Sequence, residues 1–417
     1  MPFPPSRSRA GGCYHAPPMA LDAIIFDVDG TLLDTNALHV EAFRRAFDAH
    51  GYQVLPDRIA VEMGKGGDTL VPSILGRVAD QRDGDAIRGD QPKRFAELAQ
   101  RQGLPVFPGA RELLAAVRRR GLQVVIATSS GQKQIDSIET FSGWAFTGDA
   151  DVVVKADDAS TSKPAPDLVA AAVARTGLSP AQCAMIGDTP YDAAAAKGAG
   201  VITLGVTCGG NPAAVLLAAG ARRVYQGPAD LLAQLDEAVA VASPAVAHLT
   251  RSTLEFLMGE ALAAARDGMA DGELPVGCVL ARGDGSVAAR GWHRARRAGD
   301  RSAHAEMVTL AAAAGQVPAD ARDLILVTTL EPCVMCVGAA MELAIDTVVF
   351  AVRSPANGGV GRVTPPTSPG PQMPRFVGNV RAAESATLLR GWHEMHAGGR
   401  GDSVAFVEQL LRSTESH

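Results

Sequence analysis

No apolar run in this chain approaches the ~20 residues needed to span a bilayer, so no membrane-spanning helix is expected. The stretch Met1 to Ala20 mixes Pro, Ser, Arg and Gly and lacks the apolar segment of a signal peptide. It is expected to be a disordered extension, with Met19 as an alternative start. Six cysteines in 417 residues are too few for a disulfide framework. Lysine is missing beyond Lys197, so every permanently positive side chain after it is arginine. That is read as a compositional habit rather than a binding device. A net charge of −6 gives no global attraction for nucleic acid. No internal repeat is present. What remains is an ordinary globular balance, 47% apolar and 20% charged, long enough for two or three separately cored units.

From Leu21 to about Leu235, short apolar runs alternate with Ala-rich helical stretches. Ala23–Phe26, Val124–Ala127, Val152–Val154, Cys183–Ile186 and Val201–Leu204 read as strands, which predicts βαβ units and a parallel, Rossmann-like sheet. A long insert, roughly Thr35 to Val106, carries amphipathic segments at 38–50, 69–78 and 93–102 and is expected to cap the sheet's C-terminal edge. Val239–Ala247, with Pro244, reads as a short linker. Beyond it the pattern is helix 254–267, strands 277–281 and 287–291, helix 305–314, strand 324–328, a helix from Cys333 and strand 347–351. A Pro-rich loop, 364–374, precedes a final helix near 384–393. The domain expectation is 1–20, 21–240 and 250–417, α/β throughout.

Two motifs carry chemistry. Asp27-Val28-Asp29-Gly30-Thr31 follows the first strand directly, where parallel sheets bind ligands. Asp27 can attack phosphorus, and Asp29 can protonate the leaving oxygen and then activate water. Gly187-Asp188-Thr189-Pro190-Tyr191-Asp192 adds acid after another strand, and clustered carboxylates without His or Cys favour Mg²⁺. Thr128 offers a hydroxyl at a strand end and Lys163 a positive charge for phosphoryl oxygens. Lys65-Gly66-Gly67 either touches substrate or is an exposed turn.

These elements, in this order, resemble the haloacid-dehalogenase superfamily of phosphatases over roughly residues 21–235. The resemblance implies Asp27 as nucleophile, Asp29 as acid/base, and Thr128 and Lys163 as phosphate binders. It further implies Asp27, Asp29 and Asp188 around Mg²⁺, with Asp192 as a supporting carboxylate. The dehalogenase branch lacks an aspartate at the position of Asp29, so its presence favours phosphate chemistry.

The second motif is His304-Ala305-Glu306 with Pro332-Cys333-Val334-Met335-Cys336. One His and two Cys at C-x-x-C spacing supply three zinc ligands and leave a fourth position open, as catalytic zinc requires. Glu306 is close enough to shuttle protons without being a ligand, an arrangement characteristic of zinc deaminases. Cys278, inside a strand pattern, reads as core rather than as a fourth ligand. Reduced thiolates suggest a cytoplasmic protein. Residues 252–395 resemble the deaminases that act on tRNA adenosine, guanine and cytosine, and so imply a three-layer α/β/α unit, Zn²⁺ and a homodimer.

Two departures bear on substrate. Family members carry Asn where this chain has His293, which either reads a base edge or is structural; Trp292 beside it reads as packing. The tRNA editors carry Arg-Asp-x-Lys where this chain reads Arg353-Ser354-Pro355-Ala356. The expectation is a bifunctional enzyme acting on small molecules, a phosphorylated metabolite and a nucleobase or nucleoside, rather than on nucleic acid. Its rivals are a tRNA-editing deaminase with an accessory hydrolase, and a chain with one non-catalytic regulatory or dimerisation unit.

Overall fold

The computed structural model describes residues 20–318, 321–360, 362–363, 372–396 and 402–415. The expected N-terminal extension and most of the Pro-rich loop lie outside the described residues. Among the described residues no helix is long and apolar enough to cross a membrane.

Six short strands build the first sheet: β1 Ala23–Phe26, β2 Gln123–Ala127, β3 Val152–Val154, β4 Cys183–Gly187, β5 Ile202–Val206 and β6 Arg223–Tyr225. They lie in the order β3-β2-β1-β4-β5-β6, and every pair is parallel. The strands read as continuous apolar runs because both faces are covered. Ile24, Phe26, Val124, Ile126 and Ile186 enter one core, and Ala23, Ile25, Val125, Ala127 and Met185 the other. β6 was not expected. It is three residues long and opens on arginine, so no apolar periodicity announces it.

Between β1 and β2 the insert is helical, with Asn36–Ala49, Gly67–Leu75 and Asp85–Gln102 as its main helices. Phe43, Phe47, Ile59, Leu70, Val71 and Ile87 form a small core of their own. A separate core lets this layer sit over the sheet edge without unravelling the sheet.

The second sheet is mixed. β7 Gly277–Ala281, β8 Val287–Trp292, β9 Ile325–Leu330, β10 Thr347–Val352 and β11 Arg375–Val377 take the order β11-β10-β9-β7-β8. β7 runs antiparallel to β8 and β9, while β9, β10 and β11 are parallel. Side chains alternate across it as strand geometry demands. Val279, Ala281, Ile325, Val327, Val349 and Ala351 meet Leu257, Met258, Ala261 and Leu262 of the helix Arg251–Ala270. Cys278, Leu280, Leu326 and Val348 share the opposite core with Ala305, Leu310 and Ala340. Gly277 is required by close approach, since a Cβ there would lie 2.1 Å from the carbonyl oxygen of Ala261.

The segment 239–247 is not a loose linker. Pro244 forces Ser243 into extended backbone and ends the helix Leu235–Ala242, after which Ala245 and Val246 bury in the second sheet's core. At this junction Asp346, 3% exposed, accepts from Arg375 at 2.7 Å and pairs with Arg222, while its other oxygen takes the Ala245 N–H at 2.7 Å. Arg375 also donates to the Ala242 carbonyl at 2.7 Å. A helix at Asp402–Glu415 completes the described chain and was not expected.

Candidate active sites

β1 carries the chain into the first site. The Asp27 N–H donates to the Ile186 carbonyl, keeping Asp27 in the ladder beside β4. The chain then turns back through Gly30, whose φ of +81° favours glycine; a Cβ there would lie 2.3 Å from Asp188 Oδ2. That close approach lets the loops after β1 and β4 share one site.

Asp27, Asp188 and Asp192 are buried, and their ligand oxygens lie within 4.8 Å of one another. Lys163 is equally buried; its Nζ lies 2.5 Å from Asp27 Oδ1 and 2.6 Å from Asp192 Oδ1. Asp192 spends its other oxygen on the Thr189 N–H and hydroxyl, at 3.0 and 2.6 Å. It therefore acts as a fixed support for the lysine. Thr31 and Asn36 donate to the two oxygens of Asp188 at 3.2 and 2.9 Å. Burial pushes the Asp27 carboxyl up to about 7 against the pull of Lys163, with Asp192 and Asp29 adding to the rise. Burial likewise raises Asp188, reinforced by Asp192 and Asp27. One ammonium does not balance this many buried carboxylates, and a hard divalent cation coordinated by oxygen would.

Asp29 is not brought into that cluster. Its carboxylate accepts from Thr35 at 2.7 Å and Ser130 at 3.2 Å, and lies 3.0 Å from His39 Nε2. Burial alone would raise its carboxyl, but these partners hold it below its ordinary value. Thr128 is buried, and its hydroxyl accepts from the Ser130 N–H at 3.0 Å. Ser129 and Ser130 line the adjoining cavity of about 510 Å³, together with Asp27, Asp29 and Lys65-Gly66-Gly67 from the cap.

In the second site, His304 caps the helix Ala305–Ala312 and Cys333 caps Val334–Glu342, so both stand where a helix N-terminus favours negative charge. His304 Nδ1 lies 3.5 Å from Cys333 Sγ and 3.6 Å from Cys336 Sγ, and the two sulfurs are 3.6 Å apart. Tetrahedral zinc with bonds of about 2.1 Å to nitrogen and 2.3 Å to sulfur would set ligand separations of roughly 3.6–3.8 Å, so the trio fits the metal. The hydrogen bond shared with Cys336 draws the Cys333 thiol down to about 4, despite burial. Glu306 is 3% exposed; Thr328 donates to its Oε1 at 3.0 Å, and its Oε2 lies 3.4 Å from Cys336 Sγ. Burial raises its carboxyl. The His293 ring is 5.3 Å from that of His304, close enough to border the site. Cys278 is fully buried within β7.

The haloacid dehalogenase-like hydrolase family matches residues 21–200, and the cytidine and deoxycytidylate deaminase zinc-binding region matches residues 251–352. The plasmid-borne protein CbbY of Cupriavidus necator is 31% identical over 44% of this chain and 77% of its own length. A phosphorylated carbohydrates phosphatase of Thermotoga maritima is 28% identical over 52% of this chain and 99% of its own. A tRNA(Ile)-lysidine synthase of Deinococcus radiodurans is 41% identical over 144 residues, 34% of this chain and a quarter of that protein's length. The chain belongs to the haloacid dehalogenase-like hydrolases. Fused behind that unit is a zinc-binding deaminase unit.

Both families are hydrolases, the first using Mg²⁺ and the second carrying a zinc-binding region. Around the hydrolase site, sequence reasoning missed His39 and the groups that hold it. His39 stacks on Phe95 at 4.2 Å and lies 3.2 Å from Gln91 through Nδ1. Its one available signal was position, four residues beyond Thr35 on the same helix face. In the deaminase unit the missed residue is Thr328, which reads as one more β-branched strand residue until Glu306 is seen above it.

Proposed function

We propose that this chain joins two hydrolyses: Mg²⁺-dependent cleavage of a small phosphomonoester, and Zn²⁺-dependent deamination of a nucleobase, nucleoside or related heterocycle. The units are taken as residues 21–240 and 250–417, acting in a cytoplasmic homodimer. The observation that carries the reading is that each unit holds its own complete donor set, one of carboxylates around a buried lysine and one of imidazole and two sulfurs beside a buried glutamate.

In the first unit, Asp27 and Asp188 would hold Mg²⁺, which when bound neutralises charge on the phosphoryl oxygens. Asp27 attacks phosphorus, forming an O–P bond as the bond to the leaving oxygen breaks. Lys163 keeps the nucleophile oriented and adds positive charge beside the phosphoryl group. The Asp29–His39 pair delivers a proton to the leaving oxygen. Asp29 then takes a proton from the water that attacks the aspartyl phosphate, which releases phosphate and restores Asp27.

In the second unit, His304, Cys333 and Cys336 would hold Zn²⁺, which when bound acidifies a water molecule. Glu306 would take one proton from water and give it to the ring nitrogen as the water oxygen bonds to the amine-bearing carbon. It would then carry the remaining hydroxyl proton to the amine, so that the C–N bond breaks, ammonia leaves and a carbonyl remains. Thr328 fixes the glutamate's far oxygen, and His293 contributes to selecting the ring.

The fusion supports consecutive steps on one metabolite, in either order. The test is phosphate release from a panel of monoesters and ammonia release from free bases and nucleosides. Asp27→Asn and Glu306→Ala should each silence one activity only. A second reading takes its support from the tRNA(Ile)-lysidine synthase match: the deaminase unit edits tRNA and the hydrolase unit is accessory. Ser354 and Ala356 and the missing lysines weigh against it. Turnover of an anticodon-arm RNA with a steep salt dependence, and of no free heterocycle, would establish the second reading instead.

A further inference from the structure

The cap closes on the hydrolase unit through contacts that include three hydrogen bonds. Tyr191 Oη donates to the Val61 carbonyl at 2.9 Å, Thr69 Oγ1 to the Lys163 carbonyl at 3.2 Å, and the Ser162 N–H to Asp68 at 3.2 Å. A leaving group displaced from phosphorus by Asp27 thus lies in a cavity walled by cap as well as sheet, about 510 Å³ in volume. Its recognition depends on the charge of that wall.

Two cap cations face the space, and both are already paired. Arg88 reaches Asp80 at 2.5 Å and Asp85 at 2.7 Å through different nitrogens. Lys65 pairs with Glu62, donates to Ser73 at 3.2 Å and sits 4.8 Å over the Tyr191 ring. The same wall carries Asp68 and Asp157, and among the described residues neither has an ion-pair partner. Gln91 and Gln134 complete it with neutral amides. Away from the reacting phosphoryl group, the lining charges that lack an ion-pair partner among the described residues are therefore both negative, while both cations are already engaged.

Resting on the phosphatase reading, we infer that this site takes monophosphates whose leaving group bears no second anionic group and offers hydroxyl or amino donors. A second phosphate would meet Asp68 and Asp157 in a part-buried space where like charges repel far more than in water. It would find no cation free of a carboxylate. Two kinds of molecule share the favoured chemistry, nucleoside monophosphates and sugar monophosphates.

The experiment compares kcat/KM for phosphate release by the full-length protein with Mg²⁺ on matched pairs. One arm sets a nucleoside 5′-monophosphate against its 3′,5′-bisphosphate, and the other a hexose 6-phosphate against its 1,6-bisphosphate. Monophosphates should lead by at least about tenfold in whichever arm turns over, and Asp157→Asn should narrow that lead several-fold. Equal or faster cleavage of bisphosphates, lost in Asp27→Asn, would overturn the inference and leave the phosphatase reading standing. An unchanged lead in Asp157→Asn would overturn the role given to that carboxylate. No Asp27-dependent cleavage of any ester in either arm would remove the phosphatase reading itself.

Discussion

The hydrolase site and the deaminase site solve the same problem, holding charge without bulk water, in opposite ways. The first gathers its groups from Asp27 to Asp192, from the ends of several parallel strands, and offsets buried carboxylates with a buried lysine. The second takes its ligands from His304 to Cys336, at two helix N-termini, where backbone dipoles do part of that work. A site assembled from scattered strand ends depends on the whole sheet being in register. A site assembled from two adjacent helix starts depends on little beyond the loops that lead into them. The two should fail differently when perturbed.

The sharpest way to break the comparison is Asp27→Asn. An amide cannot form the acyl phosphate, so phosphatase turnover should fall by on the order of 10⁴–10⁶-fold, as losses of nucleophiles do. Ammonia release should be unchanged. Equal loss of both activities in a folded variant, judged by circular dichroism, would mean that the two sites are not independent.

Next in size is Glu306→Ala. It should retain about one zinc per chain and lose deamination by roughly 10²–10⁴-fold. Cys333→Ala should lose the metal as well. Zinc analysis by atomic emission separates the two, and metal loss from the Glu306 variant would place that carboxylate among the ligands.

What could be read beforehand follows the same contrast. The Asp-x-Asp turn, the Gly-Asp pair after β4 and the His/Cys set were legible because their spacing is local and their residue types are rare together. Thr128 was legible as a strand-end hydroxyl, but its orientation toward the Ser130 N–H was not, since a serine pair beside it competes for the cavity face. His39 looks like any helix histidine; its burial between Phe95 and Asp29 comes from cap helices more than fifty residues apart in the chain. β6 and β11 open on Arg223 and Arg375, and three-residue strands that begin with arginine imitate surface loops, even though Arg375 is buried. Asp346, the partner that makes burying Arg375 possible, follows an apolar run and reads as a turn residue.

That junction offers a third test, of stability rather than turnover. Asp346→Ala would leave two arginines facing each other in a buried space and should cost about 3–5 kcal/mol in denaturant unfolding, as broken buried pairs do. Both activities should persist at low temperature. Burial would raise the Asp346 carboxyl, but Arg222 and Arg375 outweigh that and hold it below its ordinary value of 3.8. Its contribution to stability is thus fully present above about pH 4 and is lost as the pH falls further, through the folded-state pKa. A variant whose stability matched the parent's at neutral pH would show that the junction does not hold the halves together.

The smallest effect sharpens the comparison most, because it asks how the deaminase site holds Glu306 without a lysine. Thr328 is fully buried on β9, opposite Cys278 of β7, and its hydroxyl holds Glu306 Oε1 while Oε2 faces Cys336 Sγ. Thr328→Val keeps the shape and removes only that donor. A hydrogen bond to a charged group contributes about 1.5–3 kcal/mol, so kcat for deamination should fall by about tenfold to a hundredfold. KM and zinc content should hold, because Thr328 is fully buried and stands outside the His304, Cys333 and Cys336 set. Thr328→Ser, which restores the hydroxyl, should recover most of the rate. If valine and serine behave alike, the threonine is merely packing, and Glu306 is held by its burial alone.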